Sequence, residues 1–210
     1  MMKVWSLLVL IVPTILMGVA LDKSILWYEN EYSIGPVTFQ EQSNLLYRRV
    51  KIKGTDADFG ESSLFGSKET SKCKNDETDG CCKYLRANQG LYFTSFGLAF
   101  LAFSLSACYL YFEKRRWLWM AVGSLWSSFA LLLSVIIIVA SEFPDYYCGD
   151  NSYESFTNDS FEYLTGMHIL FAAVSLLGVF SVLGSVYLYQ TKVNSITINT
   201  VTTQVESLAF

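Results

Sequence analysis

The sequence predicts an all-α membrane protein in which a four-helix transmembrane bundle carries a small extracellular antiparallel β-sheet. Residues 91–112 and 117–140 contain no Asp, Glu, Lys or Arg. At about 1.5 Å per helical residue, each run is long enough to cross a hydrocarbon core of about 30 Å. Residues 37–40 and 50–53 alternate apolar and polar side chains, as half-buried strands do. Charged residues make up only 16% of the chain, against about 25% in soluble domains.

The first apolar run, residues 4–21, follows the short N-terminal segment 1–3. We interpret the run as a first transmembrane helix with a cytoplasmic N-terminus, because it is longer than the core of a signal peptide, about 7–15 residues. Pro13 is compatible with a membrane helix whose neighbours satisfy the freed carbonyl. The alternative is a cleaved signal peptide, with Gly18 and Ala20 before the cut, which would leave three spans.

Residues 22–90 form the first predicted extracellular segment, and we expect it to be rich in strands. Pro36 and the surrounding turn signals fit the edge of a strand. Trp27 closely follows the first apolar run, which is where an aromatic side chain at the membrane interface is expected. The polar residues 62–79 predict irregular structure.

A charged turn at residues 113–116 joins the two central apolar runs and fixes the orientation of the chain. Its basic residues are Lys114, Arg115 and Arg116. Short loops rich in Lys and Arg remain in the cytoplasm, so the segments 22–90 and 141–165 lie outside the cell.

The second outer segment, residues 141–165, is acidic and aromatic and contains no Lys or Arg. Asn158 begins an Asn-Asp-Ser sequon, so we predict N-glycosylation there. Residues 166–189 are the last apolar run and predict the fourth span. Residues 190–210 are polar and rich in Ser and Thr, and we expect a disordered cytoplasmic tail.

Four of the five cysteines lie on the predicted outer side, as expected in an oxidising compartment. They are Cys73, Cys81, Cys82 and Cys148. A bond between the adjacent Cys81 and Cys82 would be strained, so we predict that Cys73 pairs with one of them and Cys148 with the other. A zinc site is the alternative, but it lacks a CxxC pair and a nearby His. Cys108, inside the second span, is interpreted as an apolar helix residue or a palmitoylation site.

The sequence contains no combination of residues that is typical of a catalytic site. There is no Ser/His/Asp set, no HExxH motif and no glycine-rich phosphate loop. We interpret the single histidine, His168, as a hydrogen-bonded core residue near the start of the last span. The predicted spans lack acidic and basic residues, which argues against a proton relay or an ion-coupled transporter. With a net charge of −4, the chain offers no basic patch for nucleic acid. We expect neither an enzyme nor a cofactor or metal.

Several of these features resemble the claudin superfamily, of which the chain would be a divergent member. The family includes claudins, peripheral myelin proteins, and the calcium-channel gamma and stargazin-like subunits. The Tyr-Leu-Arg-Ala run that contains Arg86 is similar to the entrance of the family's second span. Trp27 stands where the family has an aromatic residue, and the spacing of Cys73 and Cys82 is similar to that of its first-loop disulfide. The family's Gly-Leu-Trp-x-x-Cys signature is absent.

The resemblance implies a multi-pass protein of the plasma membrane, possessing no enzymatic activity, that acts at cell–cell contacts or junctions. Its partners would be the lipid bilayer and the outer segments of itself or of other four-span proteins, in the same or the opposite membrane. The alternative is an auxiliary subunit that regulates an ion channel or receptor. The C-terminal sequence Leu208-Ala209-Phe210 resembles a ligand of PDZ-type scaffolds.

Overall fold

The computed structural model describes residues 2–22, 24–34, 36–54, 58–63, 80–142 and 160–208. Within these ranges the chain forms four helices and five strands. The helices are α1 (Met2–Ala20), α2 (Gly80–Phe112), α3 (Arg115–Glu142) and α4 (Thr165–Leu208). The strands are β1 (Tyr28–Ile34), β2 (Val37–Ser43), β3 (Tyr47–Ile52), β4 (Asp58–Ser63) and β5 (Ser160–Tyr163).

Among the described residues, three helices are long and apolar enough to cross a membrane. The candidate spans are Arg86–Phe112 in α2, Arg115–Ala140 in α3 and Thr165–Thr191 in α4. They contain the three later apolar runs of the sequence. In α1 the corresponding apolar stretch, Leu10–Ala20, is shorter.

The helices pack in chain order around one core. α1 packs against α2 and α4, and α3 lies between α2 and α4. Met17, Tyr92, Leu132 and Leu170 have no solvent-exposed surface in this core. The bundle therefore closes on itself, with the first helix against the last.

Two helices are longer than the sequence predicts. α2 begins at Gly80, well before the charge-free run that starts at residue 91. α4 continues to Leu208, so the prediction of a disordered tail is wrong for residues 190–208, and residues 209–210 lie outside the described residues. Extending a helix that is already formed avoids the cost of nucleation, and this lets a polar sequence continue the helix of the last span.

The connection between α2 and α3 is only two residues long, Glu113 and Lys114, instead of the predicted four. Glu113 has a φ of 53°, in the left-handed region, and its amide donates to the carbonyl of Tyr109 at 2.8 Å. This is the αL motif that ends many helices. Arg115 and Arg116 consequently form the first turn of α3.

The strands form one antiparallel sheet in the order β4-β3-β2-β1-β5. The strands predicted at 37–40 and 50–53 lie in β2 and overlap β3. β5 comes from the end of the second outer segment and pairs with β1, with Tyr28 opposite Tyr163 and Glu31 opposite Ser160. Both predicted outer segments thus contribute to the same sheet.

Candidate interaction surface

Trp27 fastens the sheet to the helices. Its Nε1 donates a hydrogen bond of 2.6 Å to the carbonyl of Ala20 at the end of α1. Its ring centre lies 5.4 Å from that of Tyr92 on α2, and its backbone carbonyl accepts from the amide of Leu164 at 2.8 Å. Only 1% of Trp27 is exposed, so its side chain is covered by protein, and its place in an aromatic belt at the membrane interface stays a prediction. Trp27 joins α1, α2 and the chain entering α4.

Tyr92, the aromatic neighbour of Trp27, connects α2 to α1 within the bundle. Its side chain is fully buried, and its hydroxyl donates to the carbonyl of Met17 in α1 at 2.6 Å. A buried phenol needs such a partner because leaving a polar group unpaired in an apolar core is costly. The bond ties α2 to α1 just below the sheet.

Gly166 allows the start of α4 to approach the start of β1 closely. Its amide donates to the carbonyl of Leu26 at 2.9 Å. A Cβ atom at this position would lie 2.5 Å from Cδ1 of Trp27 and 2.7 Å from the Leu26 carbonyl oxygen. Only glycine fits between these atoms.

Asn44, in the β2–β3 connection, provides a second attachment of the sheet, to the segment that follows α1. Its buried Nδ2 donates to the carbonyls of Asp22 and Ile25, each at 3.0 Å. Its Oδ1 accepts from the backbone amide two residues later, at 2.8 Å. From α2, Gln89 Nε2 donates to the carbonyl of Leu45 at 3.0 Å. The sheet is therefore bound to the ends of α1, α2 and α4.

One face of the sheet carries a connected set of polar side chains, which we call the polar face: Glu29, Glu31, Gln40, Gln42 and Lys53. The Glu29 carboxylate accepts from Nε2 of Gln40 and of Gln42, each at 2.5 Å. Glu31 accepts from Lys53 Nζ at 2.7 Å. The register places Glu29 opposite Gln42 and Glu31 opposite Gln40, so these residues share one face.

The backbone register extends this pattern across the sheet. Arg49 and Lys51 of β3 lie opposite Gln42 and Gln40. On the other side, Glu162 of β5 lies opposite Glu29. Along this face, the residue type changes from acidic on β1, through amides on β2, to basic on β3.

The predicted topology residues do not gather at this surface. Arg86 is exposed on α2, and Lys114 is exposed in the α2–α3 turn at the far end of the helix. Arg115 Nη2 donates to a carbonyl of α4 at 3.3 Å, and the Arg116 guanidinium lies 5.2 Å from the ring centre of Trp117. The basic turn and Trp27 thus occupy opposite ends of the helices.

The disulfide and glycosylation predictions are not tested. Cys73, Cys148 and Asn158 lie outside the described residues, while Cys81 and Cys82 occupy the first turn of α2. Their pairing stays a prediction. Cys108 is a partly buried free thiol in α2.

His168 lies in the first turn of α4 and is exposed, so its interpretation as a core residue is wrong. In the part of the chain that the structure describes, no group of His, Cys, Asp and Glu side chains is placed to hold a metal ion.

Sequence reasoning missed β5 and the role of Asn44. β5 reads Ser-Phe-Glu-Tyr, an alternation typical of a strand but only four residues long. Asn44 stands before two leucines, and nothing in that pattern indicates a buried side chain that hydrogen-bonds three backbone groups.

No protein-family model matches the chain, and no curated protein has a similar sequence. Function is therefore inferred from the residues and contacts of the chain itself.

Proposed function

We propose that this protein is a four-span integral membrane protein of the claudin type that acts, without catalysis, at contacts between cells. The outer sheet is its contact surface. The observation that carries the proposal is the pairing of β1 with β5, which unites both outer segments in one sheet. Trp27 and Asn44 then fix that sheet to the helices.

The proposal includes α1 as the fourth span. Met17 and Ala20 are fully buried within the bundle core. On the other side of the same helix, Val12, Ile15 and Val19 are exposed apolar side chains, as a lipid-facing surface would require. α1 also closes the ring of helices by packing against α2 and α4.

The orientation follows from the basic turn. Lys114 and the two arginines at the start of α3 belong in the cytoplasm by the distribution of Lys and Arg in short loops. The sheet is attached at the opposite end of the helices and would face the outside at the plasma membrane.

The polar face suits a specific contact between proteins. Glu29 and Glu31 already accept hydrogen bonds from neighbouring side chains, which holds their carboxylates in place. An ordered arrangement of charges selects partners mainly through complementarity, since like charges brought together cost several kcal/mol. The outer segments of a second four-span molecule are the proposed partner.

A mixed-cell experiment tests this function. Two cell populations express the full-length protein with different fluorescent tags, and a third expresses none. We expect enrichment at borders between two expressing cells and none at borders with non-expressing cells. An even distribution of the protein over all cell borders would contradict the contact function. If an ion channel co-purifies with the protein in stoichiometric amount, the auxiliary-subunit alternative is favoured.

A charge exchange tests the surface itself. The double variant Glu31→Lys with Lys53→Glu keeps the net charge and the ion pair but reverses its direction on the polar face. We expect normal surface delivery and a loss of enrichment at borders with wild-type cells. The matched control is Lys114→Gln, at the other end of the helices. Wild-type enrichment of the exchanged variant would show that the polar face is not the contact surface.

A further inference from the structure

A groove of about 480 Å³ lies between α3 and α4, in their halves nearest to the α2–α3 turn. Its α3 wall consists of Trp119, Val122 and Trp126, and its α4 wall of Ser185, Leu188 and Tyr189. Most of these side chains are apolar or aromatic. The groove lies within two of the candidate spans, so in a membrane it would open to the lipid rather than to water.

Small residues create the groove. At Gly184 a Cβ atom would lie 2.9 Å from Cγ2 of Val122, so the two helices come close at the floor. At Gly123 no atom lies within 4 Å of the corresponding position, which leaves open space. Trp126 Nε1 donates to Ser185 Oγ at 3.1 Å and so connects the two walls. Trp119 and Tyr189 are 57% and 69% exposed, so they border the opening without covering it.

Arg115 lies close to the groove, at the start of α3. It precedes Trp119 by one helical turn and therefore lies on the same side of α3. Its Nη2 reaches the carbonyl of Leu188, a lining residue, at 3.3 Å. Its Nε is buried and has no hydrogen-bond partner among the described residues. A ligand oxygen cannot reach this covered atom, so an anionic group would bind through the terminal nitrogens of the guanidinium, in charge-assisted hydrogen bonds.

We propose that the groove binds one acyl chain of an anionic phospholipid, whose phosphate is held by Arg115. The apolar walls match the chain, and the planar guanidinium matches two phosphate oxygens. The neighbouring Lys114 and Arg116 are exposed and add positive charge at the depth of the headgroups. Charge complementarity thus favours an anionic lipid over a zwitterionic lipid or an apolar helix. Anionic lipids are concentrated in the cytoplasmic leaflet, where the basic turn is proposed to lie.

Tryptophan quenching by brominated lipids tests the proposal. The full-length protein is reconstituted in phosphatidylcholine bilayers that contain increasing amounts of brominated phosphatidylserine or brominated phosphatidylcholine. Trp119 and Trp126 line the groove, and the same titration of a variant with Trp119→Phe and Trp126→Phe gives the background from the three other tryptophans, so the difference reports occupancy of the groove. We expect about a fivefold preference for the serine lipid, corresponding to about 1 kcal/mol for one basic residue near the surface. Equal quenching by both lipids would overturn the proposal.

Two variants separate a specific site from general attraction to the basic turn. Arg115→Gln should remove most of the preference, while Arg116→Gln, which removes one positive charge that lies over Trp117, should lower it only slightly. Equal losses in both variants would mean diffuse electrostatics and would overturn the proposal. Gly123→Leu fills the open space of the groove. It should reduce quenching by either lipid without changing the oligomeric state of the purified protein. If it instead dissociates a dimer and leaves quenching unchanged, the groove binds a second copy and the lipid assignment is wrong.

Discussion

Ser95 on α2 and Ser128 on α3 each donate a hydrogen bond to the other's backbone carbonyl, at 2.8 and 2.9 Å. Both side chains are fully buried, and their Oγ atoms lie 3.1 Å apart. Helices in a lipid bilayer gain little from hydrophobic burial against one another, so close packing and interhelical hydrogen bonds carry more of their association. This reciprocal pair joins the two helices of the central hairpin near the middle of their length.

The pair should show measurable coupling. We expect Ser95→Ala and Ser128→Ala each to lower the free energy of unfolding in detergent, and the double variant to lower it by less than their sum. Interhelical hydrogen bonds of this kind contribute about 0.6 kcal/mol on average and up to about 1.7 kcal/mol. Ser134→Ala is the control, because Ser134 bonds only the carbonyl of Ala130 in its own helix. Strict additivity of the two losses would contradict the coupling.

The contact between Gly166 and Trp27 predicts a strong effect of one added methyl group. Gly166→Ala places a carbon 2.5 Å from the indole and 2.7 Å from a backbone oxygen that has little freedom to move. Overpacking of this kind costs about 1–3 kcal/mol. We expect a clear fall in thermal stability and faster proteolysis of the outer segments. Gly97→Ala adds the same methyl to a helix position with no neighbour within 4 Å and should be neutral or slightly stabilising.

Tyr92→Phe isolates one hydrogen bond while preserving the ring beside Trp27. The variant removes the donor to the Met17 carbonyl and should cost about 0.5–1.5 kcal/mol of unfolding free energy. Tyr111→Phe deletes the same hydroxyl from a side chain that is 81% exposed, and we expect no measurable change there. Equal melting temperatures for the two variants would show that the Tyr92 bond does not stabilise the junction between α1 and α2.

The sequence could predict the elements that depend on local pattern. Charge-free runs predict the three long helices because every backbone group must be satisfied inside the membrane. Alternation predicts β2 and β3. The junction between sheet and helices could not be predicted, since it depends on contacts between distant residues: Trp27 with Tyr92, Asn44 with Asp22, and Gly166 with Leu26. β5 is fixed by its pairing with β1, which a four-residue alternation cannot indicate by itself.

Asn44 provides the sharpest test of how the sheet is attached. Asn44→Asp keeps the shape of the side chain and its acceptor oxygen but replaces the donor of two hydrogen bonds with a carboxylate oxygen. That oxygen would face the carbonyls of Asp22 and Ile25, which can only accept. A buried charge beside two acceptors is strongly unfavourable, so we expect a loss of at least about 2 kcal/mol. Gln190→Glu makes the same chemical change at an exposed position of α4 and should have little effect.

The melting temperature and limited proteolysis are measured for both variants. In Asn44→Asp, the outer segments should become susceptible to the protease before the helices lose their circular dichroism. The attachment does not depend on Asn44 if the variant keeps the wild-type melting temperature and its outer segments become susceptible to the protease only when the helices lose their circular dichroism.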